Sequence, residues 1–240
     1  MSEEVLELSN VDYIYFDGTK ALNNICTKFS KNEKVAIIGP NGSGKTTFLM
    51  VTSFLYVPTK GTVKIFKNGE EVRDKKTIRE MIGIVFQDPD VQIFNQSIFD
   101  EIAFTLLQKN MKEEIVRERT EKLIQSLGLE KIEYKMPHRL SFGEKRKVTI
   151  ASVIAKEPEI LLVDEPTSNL DPKSRREIIK ILKEVSANST FLFSTHDLGA
   201  VYELASRVII MYDGKIVYDG STKDINTNKE ILKKYELAYD

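Results

Sequence analysis

The chain has 240 residues, of which 41% are hydrophobic and 30% are charged, the usual proportions for a soluble globular protein with a sizeable core. Its 35 Lys and Arg residues balance 36 Asp and Glu residues, and the formal net charge of −1 gives no reason to expect nucleic acid as a partner. A single cysteine excludes an internal disulfide, and we expect Cys26 to be a small buried hydrophobic residue.

The N-terminal part of the chain alternates between short apolar runs and turns. An apolar/polar alternation at its start predicts strand structure that is broken by the turn Asp17-Gly18. A continuous apolar run before Gly39 predicts a buried parallel strand, and Asn68-Gly69 predicts a hairpin turn. The predicted elements are strands over 5–15, 35–38, 61–66, 70–72 and 82–86 and a helix over 46–56.

The middle of the chain is helical, and strands and helices alternate after it. Gly128 stands where a helix C-cap belongs, and Asp213-Gly214 predicts a second hairpin. The predicted elements are helices over 100–110, 112–127 and 145–155, strands over 160–163, 191–194, 208–212 and 216–218, and helices from 172, from 197 and in the charged tail. This pattern predicts one α/β domain over 1–240, with a core of about 1–88 and 156–220, an inserted helical subdomain of about 89–155 and a helical tail of about 221–240.

The segment between the strand at 35–38 and the following helix has the spacing of a phosphate-binding loop, G-x-x-x-x-G-K-[ST]. Its glycines let backbone N–H groups curl around phosphate oxygens, and the helix N-terminus adds partial positive charge. Lys45 can reach the β- and γ-phosphates, and the Thr46 hydroxyl can ligate Mg²⁺. The alternative is a glycine-rich turn with an exposed lysine. The predicted ATP-binding residues here are Gly39, Pro40, Asn41, Gly42, Ser43, Gly44, Lys45, Thr46 and Thr47.

Two acids, Asp164 and Glu165, end a second apolar strand. Because burying an ionised carboxylate is costly without a counter-charge, two acids at this place are easier to explain beside Mg²⁺. Asp164 is predicted to hold the metal, and Glu165 is predicted to activate the attacking water as a general base. The alternative is an ordinary turn at the strand end before Pro166.

A short polar segment precedes the helix predicted over 145–155. Ser141 and Glu144 have the S-x-x-E spacing of a capping box, which could be the whole explanation of these residues. A capped helix start that contains a glycine is also an anion site, so a functional interpretation stands beside the structural one.

The order of these motifs resembles that of the ATP-binding cassette (ABC) ATPases over about residues 5 to 220. The resemblance implies a P-loop NTPase fold with a RecA-like core, an antiparallel β subdomain and an inserted α-helical subdomain. The matching motifs are the phosphate loop, Gln87 after an apolar strand, an LSGGQ-like signature at 140–144, the acidic strand end, and the segments 168–171 and 194–197.

The resemblance also implies roles for single residues. Tyr15 stands where the family stacks an aromatic ring on adenine, and the alternative is an aromatic that packs on the sheet. Gln87 resembles the glutamine that senses Mg²⁺ and the γ-phosphate, and His196 resembles the histidine that contacts the γ-phosphate. With Lys45 and Glu165 they form the predicted catalytic set, and the predicted metal ligands are Thr46, Gln87 and Asp164.

The signature is implied to act on the ATP of a second subunit. Its contacts are Ser141, Gly143 and Glu144. Asp171 is implied to join them, although it could equally be the N-cap of the helix that follows. The signature departs from the family pattern because Phe142 replaces a glycine and Glu144 replaces a glutamine, and we expect function to survive because the serine and the second glycine remain.

Residues 85–94 and the segment from Tyr15 to Leu22 are similar to the ATPases of energy-coupling factor transporters, which import cobalt, nickel or vitamins. We therefore expect an ATP-hydrolysing subunit of such an importer, with Mg²⁺ bound beside ATP and with a second ATPase subunit and transmembrane subunits as partners. It would lie peripherally on the cytoplasmic face of the membrane, because no apolar run approaches the roughly 20 residues of a bilayer span. The alternative is a soluble ABC ATPase such as an iron–sulfur assembly factor. A P-loop GTPase would need a guanine-reading Asn-Lys-x-Asp, which the sequence lacks.

The family receives its membrane subunits between the core and the helical subdomain, a surface expected here over about 87–104. Some apolar side chains of this stretch must pack the helical subdomain. As a set they could exceed what a small insertion buries, so we expect an apolar groove. Its residues are Val91, Ile93, Phe94, Ile98 and Phe99.

Overall fold

Two β-sheets with helices between and around them form the molecule, which is described here by a computed structural model covering residues 3–109, 111–227, 229–235 and 237. The predicted helical residue Asn110 and the ends of the predicted domain at 1–2 and 238–240 lie outside this range. The strands are β1 (Glu4–Ile14), β2 (Lys20–Ser30), β3 (Lys34–Ile38), β4 (Lys60–Lys67), β5 (Glu70–Val72), β6 (Ile82–Val85), β7 (Ile160–Asp164), β8 (Thr190–Ser194), β9 (Arg207–Tyr212) and β10 (Lys215–Ser221).

The helices of the described residues were largely expected from the sequence. They are α1 (Lys45–Thr52), α2 (Lys75–Met81), α3 (Ile98–Leu107), α4 (Glu113–Ser126), α5 (Phe142–Ile154), α6 (Pro172–Val185), α7 (Leu198–Leu204), α8 (Thr222–Thr227) and α9 (Lys229–Lys234). Helix α5 begins before the predicted residue 145 because the side chain of Ser141 caps it. Helix α2, whose N-cap Asp74 accepts a hydrogen bond from the N–H of Thr77, was not predicted.

The large sheet has the strand order β10-β9-β3-β8-β7-β6 and is parallel except for its edge strand β10. Strand β3 lies between β8 and β9, and residues Val35 to Ile38 are fully buried. This burial confirms the predicted parallel strand, because both faces of such a sheet are covered. The carboxyl ends of β3, β7 and β8 consequently meet at one edge.

The small sheet has the order β2-β1-β4-β5 and is antiparallel. Asn68 and Gly69 have φ values of 53° and 82°, which confirms the hairpin turn between β4 and β5. Buried Leu6 and Leu8 of β1 belong to the same apolar core as Phe48 of α1. The small sheet therefore packs against the first helix through this shared core.

The helices α3, α4 and α5 come between β6 and β7 in the chain, yet these two strands pair directly in parallel. The helical segment is therefore inserted into a continuous sheet. The division at residues 88/89 and 155/156 remains a prediction. No helix within the described ranges is long and apolar enough to cross a membrane.

The prediction of a buried cysteine is wrong. Cys26 is exposed, and its thiol lies beside Asn10, whose N–H donates to Sγ at 3.2 Å. Residues alternate between the two faces of a strand, and in β2 the neighbouring Ile25 and Thr27 are the buried ones. The position of Cys26 in β2 therefore decides its exposure, whatever its intrinsic hydrophobicity.

Candidate functional site

The phosphate loop joins the end of β3 to the start of α1. Gly44 is the N-cap residue with φ 100°, and a Cβ there would lie 2.5 Å from the carbonyl oxygen of Ala21, so only glycine fits. The hydroxyl of Ser43 is buried and has no hydrogen-bond partner among the described residues. A buried hydroxyl without a partner is costly, and a phosphate oxygen in the loop would satisfy it.

Lys45 is folded back onto this loop. Its Nζ donates to the carbonyl oxygens of Gly39 at 2.7 Å and Pro40 at 3.1 Å, and the residue is 7% exposed. Burial lowers the pKa of Lys45, and the carboxylates of Glu165 and Asp164 oppose this shift. An exposed lysine on a plain turn would show none of these features, so the alternative interpretation of the loop does not hold.

Asp164 connects the phosphate loop to the end of β7. The hydroxyl of Thr46 donates to its Oδ2 at 2.8 Å, and the hydroxyl of Ser194 donates to its Oδ1. Asp164 is 1% exposed, so these hydrogen bonds compensate for its burial. No group of three His, Cys, Asp or Glu side chains that could hold a metal occurs in the described part of the chain. Two oxygen donors alone suit Mg²⁺ only if nucleotide phosphates complete its coordination.

Glu165 and His196 face each other across the ends of β7 and β8. Glu165 Oε2 lies 2.9 Å from His196 Nδ1. The Glu165 backbone has a positive φ of 46°, and its N–H donates to the hydroxyl of Ser194 at 3.0 Å. A non-glycine residue held in this region of φ is uncommon and clusters at functional sites. Glu165 is 6% exposed, whereas the His196 side chain is 66% exposed.

Tyr15 fits both of its sequence interpretations. Its ring makes edge contacts with Tyr13 and Tyr56, at centroid distances of 5.0 and 6.3 Å, which is the predicted packing role. Its hydroxyl lies 2.8 Å from Oγ1 of Thr47 in α1, which ties the ring to the phosphate loop. Because the ring also lines the cleft beside that loop, it can pack on the sheet and contact a ligand at once.

Tyr15, Lys45, Thr46 and Glu165 line one cleft with a volume of about 490 Å³, a usual size for a small-molecule site, whereas Asp164 and His196 lie outside its lining as hydrogen-bond partners of Thr46 and Glu165. Gln87 lines the same cleft as the phosphate loop and Glu165, and its predicted contact with Mg²⁺ and the γ-phosphate remains a prediction. The lining residues are Tyr15, Thr19, Lys20, Ala21, Asn41, Gly42, Gly44, Lys45, Thr46, Thr47, Gln87, Glu165, Asp213 and Gly214. The sequence interpretation missed 19–21 as site residues and gave 213–214 only a turn role.

The predicted signature residues do not line this cleft in the described structure. Ser141 and Glu144 form the predicted capping box, in which Ser141 N–H and Oγ–H donate to the Glu144 carboxylate at 2.7 and 2.8 Å. A Cβ on Gly143 would lie 2.9 Å from Oγ of Ser174 in α6, so the start of α5 packs against the start of α6. Asp171 caps α6 by accepting from the N–H groups of Lys173 and Ser174.

The predicted apolar stretch divides into buried and exposed members. Ile98 is fully buried in the helical segment, and Ile93 and Phe99 pack partly against that core. Val91 and Phe94 are 70% and 67% exposed. This exposed pair is continued by Phe104, whose ring meets that of Phe94 edge-on at 5.1 Å, and by exposed Leu107.

Comparison with known proteins shows which family has a similar sequence and fold. The family model described as "ABC transporter" matches residues 22–168, and a model of an AAA domain matches 136–201. The energy-coupling factor transporter ATP-binding protein EcfA of Methanocaldococcus jannaschii is 37% identical over 238 residues, which are 97% of this chain and 85% of that protein.

Two solved structures have closely similar folds. The structure of cbiO1 from Clostridium perfringens, described as part of the ABC transporter complex cbiONQ, superposes with a TM-score of 0.83 at 34% identity and covers 98% of this chain and 95% of that one. A dimeric ATP-binding cassette in a post-hydrolysis state bound to ADP and Pi superposes with a TM-score of 0.81 at 30% identity, over 90% of this chain and 98% of that one.

Proposed function

The chain belongs to the ABC transporter ATPases, and we propose that it is the ATP-binding and ATP-hydrolysing subunit of an energy-coupling factor importer for cobalt, nickel or a vitamin. One observation carries this proposal: Lys45, Thr46 and Glu165 line one cleft, Asp164 and His196 contact Thr46 and Glu165 there, and the helical segment carries an exposed apolar surface. The cleft supports the proposed ATP hydrolysis, and the exposed apolar surface supports the proposed coupling to a membrane partner.

Within the cleft, the residues divide into binding and reacting groups. The ring of Tyr15 stacks on adenine, and the loop N–H groups with Lys45 hold the phosphates. The carboxylate of Glu165 accepts a proton from the attacking water, and His196 keeps that carboxylate in place from 2.9 Å. Electrostatic stabilisation of the transferred phosphoryl group by Lys45 supplies the main part of the acceleration.

The donor set fits Mg²⁺ as the accompanying ion. Thr46 and Asp164 are hard oxygen donors whose atoms lie 2.8 Å apart, and Gln87, which has an amide oxygen, lines the cleft together with Thr46. When bound, Mg²⁺ neutralises charge on the β- and γ-phosphate oxygens. The phosphate loop fixes the position of the Thr46 hydroxyl, and the hydrogen bond from Ser194 fixes the position of the Asp164 carboxylate, so both donors are preorganised for Mg²⁺.

A second ATPase subunit completes each site. Ser141, Gly143 and Asp171 lie outside the chain's own cleft, at the adjoining starts of α5 and α6. We propose that they contact the γ-phosphate in the cleft of a partner, which is either a second copy or a related ATPase. Glu144 contributes through the capping box, because its carboxylate accepts two hydrogen bonds from Ser141.

The membrane partner binds to the surface formed by Val91, Phe94, Phe104 and Leu107. Aromatic residues are enriched at protein interfaces, and the rings of Phe94 and Phe104 form an exposed aromatic pair here. The backbone of Phe94 is fixed by a buried carboxylate. Glu101, 2% exposed, accepts hydrogen bonds from the N–H groups of Phe94 and Asn95 at 3.1 and 3.0 Å. The protein then works peripherally at the cytoplasmic face of the membrane.

Co-purification tests this proposal against a soluble assembly factor, which would need no membrane partner. The tagged chain is expressed in its own host and purified from detergent-solubilised membranes. Recovery of multi-spanning membrane proteins in a fixed ratio to the chain supports the importer subunit. Quantitative recovery in the soluble fraction, without any membrane protein, would favour the soluble alternative.

A further inference from the structure

Two cations, fully buried Arg146 and partly buried Lys156, join helix α5 to the backbone on either side of strand β6. Near the start of the helix, Arg146 donates to the carbonyl oxygens of Phe86, at 2.5 Å, and of Gln87. Just after its end, Lys156 donates to the carbonyl oxygens of Arg79, at 3.0 Å, and of Ile82. Helix α5 therefore cannot shift along β6 without breaking charge-assisted hydrogen bonds, which are stronger than neutral ones.

Arg146 is the more unusual of the two cations because it is fully buried. Its guanidinium lies over the ring of Phe142, 5.4 Å from the ring centroid, and its Nε has no partner in the ranges that the structure covers. Burial lowers the pKa of Arg146 to about 10, opposed by the charges of Asp164, Asp88 and Glu165. An isolated charge in such a place is costly, so a role other than filling space is expected.

The two carbonyl groups that Arg146 binds are those that the sheet leaves unpaired. Strand β6 ends at Val85, whose partner in β7 is Val163, so Phe86 and Gln87 lie beyond the last ladder pair. Their carbonyl oxygens need donors, and the guanidinium fork supplies two parallel N–H groups. The backbone of Gln87 is consequently held from α5, the helix whose first residues are Phe142 and Gly143.

We propose that Arg146, covered by the ring of Phe142, is a positioning residue that fixes the backbone of Gln87 to the signature helix, so that Gln87 in the cleft and the signature at the subunit contact move as one unit. The inference rests on the proposed function, since it assumes that Gln87 and the signature serve the same ATP cycle. The inference also explains why phenylalanine stands at position 142, where the family has glycine: its ring supplies a cation–π contact to Arg146.

The test compares kcat and KM for ATP in the parent and three variants of the full chain. Arg146→Met keeps the length of the side chain and removes the charge and donors, and it should lower kcat about tenfold or more with a small change in KM, because Gln87 loses its fixed position. Arg146→Lys should restore part of this loss, since an ammonium can reach one carbonyl but lacks the fork. Phe142→Leu should give an intermediate loss.

Lys156→Met is the matched control. It removes the second, partly buried cation, which binds the backbone before and at the start of β6. The variant should have a lower melting temperature, while its kcat at a permissive temperature stays at the parent value. If Arg146 were only a structural residue, both methionine variants would lose activity in proportion to their loss of stability. Equal kcat/KM losses in the two variants at matched folded fraction would overturn the proposal.

A double-mutant cycle asks whether Arg146 acts through Gln87. In a Gln87→Ala background, Arg146→Met should cost little further activity, because residues that act as a unit are not additive. Fully additive losses would contradict the proposal. If the parent chain hydrolyses no ATP with any partner subunit, the proposed function fails, whereas a parent-like Arg146→Met variant removes this inference alone.

Hydrogen exchange gives the same comparison without turnover. Arg146→Met should speed amide exchange over residues 86–92 and leave residues 79–83 as in the parent, and Lys156→Met should do the reverse. Unchanged exchange at 86–92 in Arg146→Met would show that the guanidinium does not hold this segment, and would overturn the proposal independently of the kinetics.

Discussion

The hydroxyl of Thr46 donates to Oδ2 of Asp164 across 2.8 Å, which joins the phosphate loop to the end of a strand 118 residues further along the chain. The same two oxygens are proposed, together with Gln87, as protein donors for Mg²⁺. This hydrogen bond therefore shows that the phosphate loop and the acidic end of β7 belong to a single site.

Thr46→Ala should raise the Mg²⁺ concentration needed for half-maximal ATPase activity, because one of the proposed hard oxygen donors is lost. Thr46→Ser keeps the hydroxyl and is the matched control, with an expected Mg²⁺ dependence close to that of the parent. The measurement is a Mg²⁺ titration of phosphate release at saturating ATP. Identical titration curves for the alanine and serine variants would remove Thr46 from the metal site.

Lys45→Ala should lower kcat by roughly a hundredfold or more and weaken nucleotide binding, because a charge contact to the phosphates is lost in both the ground state and the transition state. Lys60→Ala removes an exposed lysine of β4 and should leave both quantities unchanged. Steady-state ATPase assays and fluorescent-nucleotide titration measure them. Turnover at the parent rate by folded Lys45→Ala would show that the site is wrongly assigned.

Phe94→Asp should release the membrane subunits and leave ATP binding by the isolated chain nearly unchanged, since Phe94 is 67% exposed and does not line the cleft. Ile115→Asp is the control, because it places the same charge at an exposed apolar position on α4. A pocket between α3 and α4 is lined by Leu107 of the proposed docking surface and by Glu113 and Arg117, and Ile115, two residues from each of the latter, lies on the opposite side of α4. A pull-down beside an ATP-binding assay compares the two variants. Full retention of the complex by folded Phe94→Asp would place the docking surface elsewhere.

An ion pair holds the segment that carries His196, and its contribution to stability depends on pH. Arg175 Nε lies 2.5 Å from Oδ2 of Asp197, the residue after His196. Burial raises the pKa of Asp197, but the hydrogen bonds from Arg175 and from the N–H of Ala200 outweigh it and bring the pKa below its ordinary 3.8. Because the folded pKa is depressed, the pair stabilises the protein above about pH 3.8 and loses this effect as pH falls through the folded pKa.

Arg175→Met should therefore lower the free energy of unfolding by about 1 kcal/mol at neutral pH, and the difference from the parent should shrink below the unfolded pKa of Asp197. Arg176→Met, which changes the exposed neighbour, should show no such pH-dependent difference. Urea unfolding at a series of pH values measures both. A difference between Arg175→Met and the parent that stays constant down to the acid limit would disprove the linkage.

The sequence was most informative where chemistry and local geometry coincide. The run before Gly39 is apolar because β3 is covered on both faces, and the glycines and Lys45 follow it because the loop must wrap an anion. The capping role of Ser141 could be predicted from the spacing to Glu144 alone.

Features that depend on distant parts of the chain could not be predicted in this way. Ala21 and Gly214 line the cleft because the start of β2 and the β9–β10 turn lie beside the loop, and no local pattern encodes that neighbourhood. Arg146 looks like any charge on a helix until β6 is placed against it. Cys26 was wrongly predicted to be buried because the sequence does not show which face of β2 packs against the core.

The most direct test of the account is the oligomeric state of Glu165→Gln with saturating Mg·ATP, measured by size-exclusion chromatography with light scattering, for the variant alone and mixed with related ATPases of its host. The variant keeps the shape of the side chain and loses the base, so it should bind ATP, fail to hydrolyse it, and accumulate as a nucleotide-bridged dimer that dissociates when ATP is removed. A variant that binds ATP with parent affinity but stays monomeric in every mixture would contradict the claim that two chains complete the site.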